Sequence, residues 1–81
     1  MEEAQEPGGS DLVHDYSSNV FEVGFHAIGF VLLFGRQETG EAIRHEARIR
    51  MNAENAKLLH FLLTDAIAQY EQRFGLIELK D

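Results

Sequence analysis

Between Asn52 and Gly75 the chain runs Asn-Ala-Glu-Asn-Ala-Lys-Leu-Leu-His-Phe-Leu-Leu-Thr-Asp-Ala-Ile-Ala-Gln-Tyr-Glu-Gln-Arg-Phe-Gly, and this stretch constrains the fold more than any other. Asn52 is placed to accept from the free N–H groups of a first helical turn. Glu54 and Arg73 match the positive and negative ends of the helix dipole, and Gly75 suits a helix stop. One capped helix is expected. At about 100° per residue, Ala56, Leu59, Leu63, Ala66, Ile67, Tyr70 and Phe74 share one stripe, wide enough to be the core-facing side of a helix on a sheet. Leu58, Phe61 and Leu62 fall outside it as a second apolar patch, roughly opposite the first and confined to the N-terminal half. One apolar face is accounted for by a monomer; a second calls for another surface to cover it, so Leu58, Phe61 and Leu62 are the expected oligomer interface.

Upstream, three strands are expected. Phe21, Val23 and Phe25 alternate with Val20, Glu22, Gly24 and His26, a period of two. Ala27, Ile28 and Gly29 form a short link to Phe30-Val31-Leu32-Leu33-Phe34, apolar on both faces and closed by Gly35. A polar, Gly-bearing loop follows to Glu41. Ile43, Ala47, Ile49 and Met51 then alternate with Arg44, Glu46, Arg48 and Arg50, and Met51 to Asn52 turns straight into the helix. Leu76 and Ile77 are expected to pack back on the sheet. The fold class that results is α+β: a three-stranded antiparallel meander followed by one long C-terminal amphipathic helix. The two-sided apolar second strand points, like the helix, to an oligomer.

Residues 1–15 combine acidic groups with Pro7, Gly8 and Gly9 and show no helical or strand period, so they are expected to be a disordered acidic tail. Residues 16–78 form the single domain and 79–81 a frayed end. About 63 residues are left for packed structure, a size that buries only about 60% of its unfolded surface and leans on disulfides, metals or association. The chain has no cysteine, which removes disulfides and thiolate metal sites and suits a reducing cytoplasm. Association remains. No apolar run approaches the ~20 residues of a membrane span, and no basic-then-apolar leader opens the sequence.

Charge is uneven. Of the net −7, residues 1–35 hold six acidic groups and no Lys or Arg, whereas residues 36–81 hold eight acidic and seven basic groups. Such a balance repels a polyanion. Arg44, Arg48 and Arg50, on the outer face of the third strand, are the only basic cluster, with Glu46 and Glu22 as expected cross-strand partners. Their alternative role is a polyanion face in a dimer that reads nucleic acid with strands. The four histidines, His14, His26, His45 and His60, are scattered, with no Cys partner and no i, i+4 pair; His26 and His45 are the two that neighbouring strands could bring together. No metal, cofactor or catalytic site is expected. Nucleophile-elbow and phosphate-loop settings are missing as well.

The segments Tyr-Ser-Ser-Asn-Val-Phe-Glu-Val, Phe-Val-Leu-Leu-Phe-Gly, Arg-Ile-Arg-Met followed by Asn-Ala-Glu-Asn-Ala-Lys-Leu-Leu, and Ile-Ala-Gln-Tyr-Glu-Gln-Arg-Phe-Gly resemble the small prokaryotic domain-of-unknown-function family DUF3467, over about residues 16–78. Members more often open the helix with Ser-Pro-Glu; here Asn52-Ala53-Glu54 keeps the capping role. The resemblance implies the fold and brings no activity or site residues. A second likeness, in element order and acidity alone, is to the export chaperone SecB.

Three functions follow as expectations. The first is a non-enzymatic, cytoplasmic module that associates with itself, as a dimer or tetramer, and binds another protein through its sheet or its acidic tail. The second is a SecB-like chaperone taking extended apolar segments. The third is a nucleic-acid-binding dimer using Arg44, Arg48 and Arg50, with an enzyme last.

Overall fold

The computed structural model describes residues 14–80. Three strands, β1 (Val20–Phe25), β2 (Gly29–Arg36) and β3 (Arg44–Asn52), precede one helix, α1 (Ala53–Phe74). The strands form one antiparallel sheet in the order β1-β2-β3. This is the expected α+β arrangement.

Local chemistry explains each junction. The β1–β2 hairpin closes through reciprocal bonds between His26 and Gly29, 2.9 and 3.2 Å, around Ala27 and Ile28. Ahead of β1, the Asn19 side chain imitates a peptide group: its Oδ1 accepts from the Gln37 N–H at 2.9 Å and its Nδ2 donates to the Gln37 carbonyl at 3.0 Å. That prolongs the ladder by one rung beyond the strand end. In the β2–β3 loop, Glu41 N–H donates to the Glu38 carbonyl at 3.0 Å and Gly40 sits at φ +80°, a conformation other residues rarely adopt.

The ladder is interrupted once. Phe34 pairs with Ala47 while Gly35 pairs with His45, so Glu46 is an extra residue in β3, a bulge. Register, with the bulge counted, sets the two faces of the sheet. One is apolar throughout, in rows Phe21/Phe34/Ala47, Val23/Leu32/Ile49 and Phe25/Phe30/Met51. On it Phe21 meets Phe34 edge-on at 5.9 Å between ring centres, and Phe25 meets Phe30 at 6.0 Å. The other face is mixed, in rows Val20/Gly35/His45, Glu22/Leu33/Arg48 and Gly24/Val31/Arg50.

The helix begins without a linker. Asn52 is the last residue of β3 and also the N-cap, extended at φ −73°, ψ 170°, its Oδ1 accepting from the Asn55 N–H at 2.7 Å. At the other end Gly75, φ +96°, donates its N–H to the Glu71 carbonyl at 2.9 Å. Glu54 and Arg73 stand in the first and last turns as the dipole requires.

Packing departs from expectation. The stripe of Ala56, Leu59, Leu63, Ala66, Ile67, Tyr70 and Phe74 does not lie on the sheet of its own chain: no residue of α1 is buried, and Leu63, at its centre, is 56% exposed. Only Gly29 and Gly35 are buried among the described residues. Leu76 and Ile77 do not return to the sheet either; Leu76 is exposed and Ile77 N–H donates to Glu71 Oε2 at 3.0 Å, which turns the chain back against the helix. The physical reason lies at the junction, where β3 passes into α1 with no residue free to redirect it. The expected tail, residues 1–15, lies outside the described residues except for His14 and Asp15.

Candidate interaction surface

Three surfaces stand out, and all are exposed. On the apolar sheet face, Phe21, Val23 and Phe25 of edge strand β1 are 61%, 67% and 79% exposed. Along the helix, Leu59, Leu63, Ile67, Tyr70 and Phe74 form the long stripe, again in contact with solvent. Roughly opposite it, Leu58, Phe61 and Leu62 are exposed as a separate patch, where the helical spacing puts them. Sequence reasoning found the patch and the stripe but assigned the stripe to its own sheet. It therefore missed the apolar sheet face as a surface; the signal that was present is the absence of any linker between Met51 and the helix.

The amount of exposed surface is large for the mass. The chain presents 7642 Å² to solvent, against about 4,900 Å² for a compact monomer of 9.2 kDa. Part of that could belong to residues outside 14–80. With those residues granted the full unfolded allowance of about 2,200 Å², about 5,400 Å² stays with the described body, roughly 1,000 Å² above the ~4,300 Å² of a compact body of that smaller mass. A standard interface takes about 800 Å² from each partner.

The polar side chains take simple structural roles. On the mixed face, His45 Nε2 lies 3.1 Å from Glu22 Oε2, so Glu22 pairs with a histidine and not, as expected, with an arginine. His26 does not meet His45; its Nδ1 accepts from the Ile28 N–H at 3.3 Å inside the hairpin turn. His14 stacks on Tyr16 and His60 lies against Phe61. Among the described residues no group of three His, Cys, Asp or Glu side chains is placed to hold a metal ion.

The arginines divide. Arg48 and Arg50 occupy the mixed face, whereas the bulge sets Arg44 opposite Arg36, one step out of phase with them. Arg44 instead reaches Glu46 Oε2 at 3.3 Å. Glu46 Oε1 is buried without a hydrogen-bond partner, an acceptor the single chain leaves open. In the loop, Arg36 Nε contacts Glu38 Oε2 at 2.9 Å, and that guanidinium holds the exposed Glu38 carboxyl below its ordinary pKa.

No helix among the described residues is long and apolar enough to cross a membrane. Nothing matches the chain among curated proteins or among solved structures. A family model described as a protein of unknown function, DUF3467, matches residues 4–79. That match begins twelve residues before the 16–78 span of the resemblance, so it takes in most of the acidic N-terminal segment. Covering nearly the whole chain, it shows that this protein belongs to the DUF3467 family.

Proposed function

We propose that this protein is a non-enzymatic, cytoplasmic module that associates with itself and holds another protein. The observation that carries this reading is the bare chain: among the described residues no apolar side chain is buried, although the sequence is 44% hydrophobic. Full burial of a Leu, Phe or Ile side chain contributes about 1.5 to 3 kcal/mol. A domain of this size that leaves even Phe30 to Phe34 of its central strand only partly covered has little margin against the ordering entropy of its backbone. Contact with other chains restores the missing core. Leu58, Phe61 and Leu62, spaced i, i+3, i+4, supply one such contact, with the assembly a dimer or tetramer.

The test joins a mass to a pull-down. Light scattering over a hundredfold range of concentration should return a multiple of 9.2 kDa, and affinity purification from the native host should bring down one partner in fixed stoichiometry. A monomer at high micromolar concentration removes the reading.

A chaperone is the second reading, favoured by β1: an edge strand with Phe21, Val23 and Phe25 on one side offers both backbone pairing and apolar pockets to an extended segment. Suppressed aggregation of several unrelated unfolded proteins would select it. Nucleic-acid binding ranks below both, since Arg44 is out of phase with Arg48 and Arg50. Retention of mixed DNA or RNA at low salt would reverse that order.

A further inference from the structure

We infer that the apolar sheet face of one copy is covered by the helix stripe of a second copy, reciprocally, in a two-fold dimer. This rests on the self-association proposed above and names the surfaces that perform it.

Two observations fix the choice of occupant. The chain carries a bare apolar sheet face and, separately, a bare apolar helix stripe, each of the kind that covers the other in an ordinary two-layer domain. The stripe from Ala56 to Phe74 runs about 27 Å along the helix. The three apolar rows take up about 13 Å of strand, so one stripe is long enough to cover one face from end to end. A foreign partner would cover one of these surfaces and leave the other wet; a second copy brings both at equal stoichiometry.

The helix is held away from its own sheet. Asn52 pairs with Gly29 in the ladder while its side chain caps α1, so one residue is clamped in both elements. Gly29 is pressed against this corner: a Cβ there would run into the Met51 carbonyl oxygen and approach the Asn52 Cα to 3.1 Å. Neither side of the junction has slack to let α1 fold back. A two-fold axis converts that fixed exit into an exchange, in which each helix lies on the other chain's face. The surplus of roughly 1,000 Å² per chain exceeds the ~800 Å² a standard interface draws from each partner. Leu58, Phe61 and Leu62, on a different side of the helix from the stripe, stay free to join such dimers in pairs.

Because the chain has no cysteine, introduced thiols report contact directly. Val23→Cys marks the sheet face and Leu63→Cys the stripe; Gln72→Cys, on the far side of the helix, is the control. Chains carrying single thiols and tags of different length are refolded together and oxidised gently, and the disulfide-linked species are weighed. The Val23–Leu63 heterodisulfide is expected to dominate, at least tenfold over Val23–Gln72. Phe25→Cys with Ile67→Cys repeats the test should either variant lose its circular-dichroism helix signal. The inference is overturned if Leu63 links only to Leu63 or Val23 only to Val23. It is also overturned if a chain with both thiols closes an internal bridge at submicromolar concentration. In all of those first two outcomes light scattering still reports an oligomer, so the broader reading survives them; a monomeric wild type sinks both.

Discussion

The two faces of the sheet are built on the same three strands yet differ in what they ask of their surroundings. One presents nine apolar side chains in three unbroken rows. The other mixes Val20, Val31 and Leu33 with Glu22, His45, Arg48 and Arg50, and holds a polar contact of its own between His45 and Glu22 at 3.1 Å. A mixed face can stand in water. An apolar face of that extent is costly to leave in water, and on the proposed reading another chain covers it. Leu32 and Leu33 are adjacent on the central strand and identical in chemistry, so the difference between faces reduces to one residue step.

That step supplies the sharpest test and the largest expected effect. Leu32→Glu puts a carboxylate into the apolar face and should destabilise the assembled protein by about 3 kcal/mol or more in urea unfolding at fixed protein concentration, through lost burial and a desolvated charge. Leu33→Glu, on the mixed face beside Arg48, should cost less than about 1 kcal/mol. Equal losses would erase the distinction between the faces.

Next in size is the helix patch. Leu62→Glu should shift the mass measured by light scattering toward smaller species and make stability more dependent on concentration, with a loss of about 1.5 to 3 kcal/mol for each side chain no longer buried. An unchanged assembly state would leave the sheet face and stripe as the only contacts. Asn52→Ala follows: it removes the cap at the strand-to-helix corner and should cost about 1 kcal/mol in thermal unfolding, whichever face is covered.

Removal of residues 1–15 should move the melting temperature by no more than a few degrees, because their composition offers little apolar surface to offset ordering entropy of about 1 to 2 kcal/mol per residue. A larger fall would show that this segment, most of which the family match includes, packs on the domain. Smallest is Glu38. Its pKa is lowered by Arg36, first through the hydrogen bond and then through charge, so its contribution is present above the ordinary glutamate range and is lost as pH falls through the depressed value. Since the group is exposed, Glu38→Gln should leave neutral-pH stability nearly unchanged and flatten only the acid limb of a stability-against-pH curve.

Element identity was legible because it is local. The period of two through Phe21, Val23 and Phe25, the hairpin at Ala27 and Ile28, and the Asn52 and Gly75 caps each act over a few residues, and all appear where the pattern puts them. The Leu58, Phe61 and Leu62 patch was legible on the same grounds, from helical spacing alone. Glu46 was not. A bulge is a mismatch between two strands, and the simple alternation of Arg44, Glu46, Arg48 and Arg50 concealed that Arg44 drops out of phase once Gly35 pairs with His45.

What the sequence determined by itself is therefore the order strand, strand, strand, helix, both helix ends and the two apolar sides of the helix, since propensity, capping and periodicity are settled within a turn or a rung. What only the tertiary structure decided is that the two apolar surfaces of one chain do not meet. The stripe of Leu59, Leu63 and Ile67 has the pattern of a helix on a sheet, but pattern carries no information about direction. The clamped corner at Gly29, Met51 and Asn52 sends the helix off its own sheet, and that exit leaves both surfaces open within a single chain.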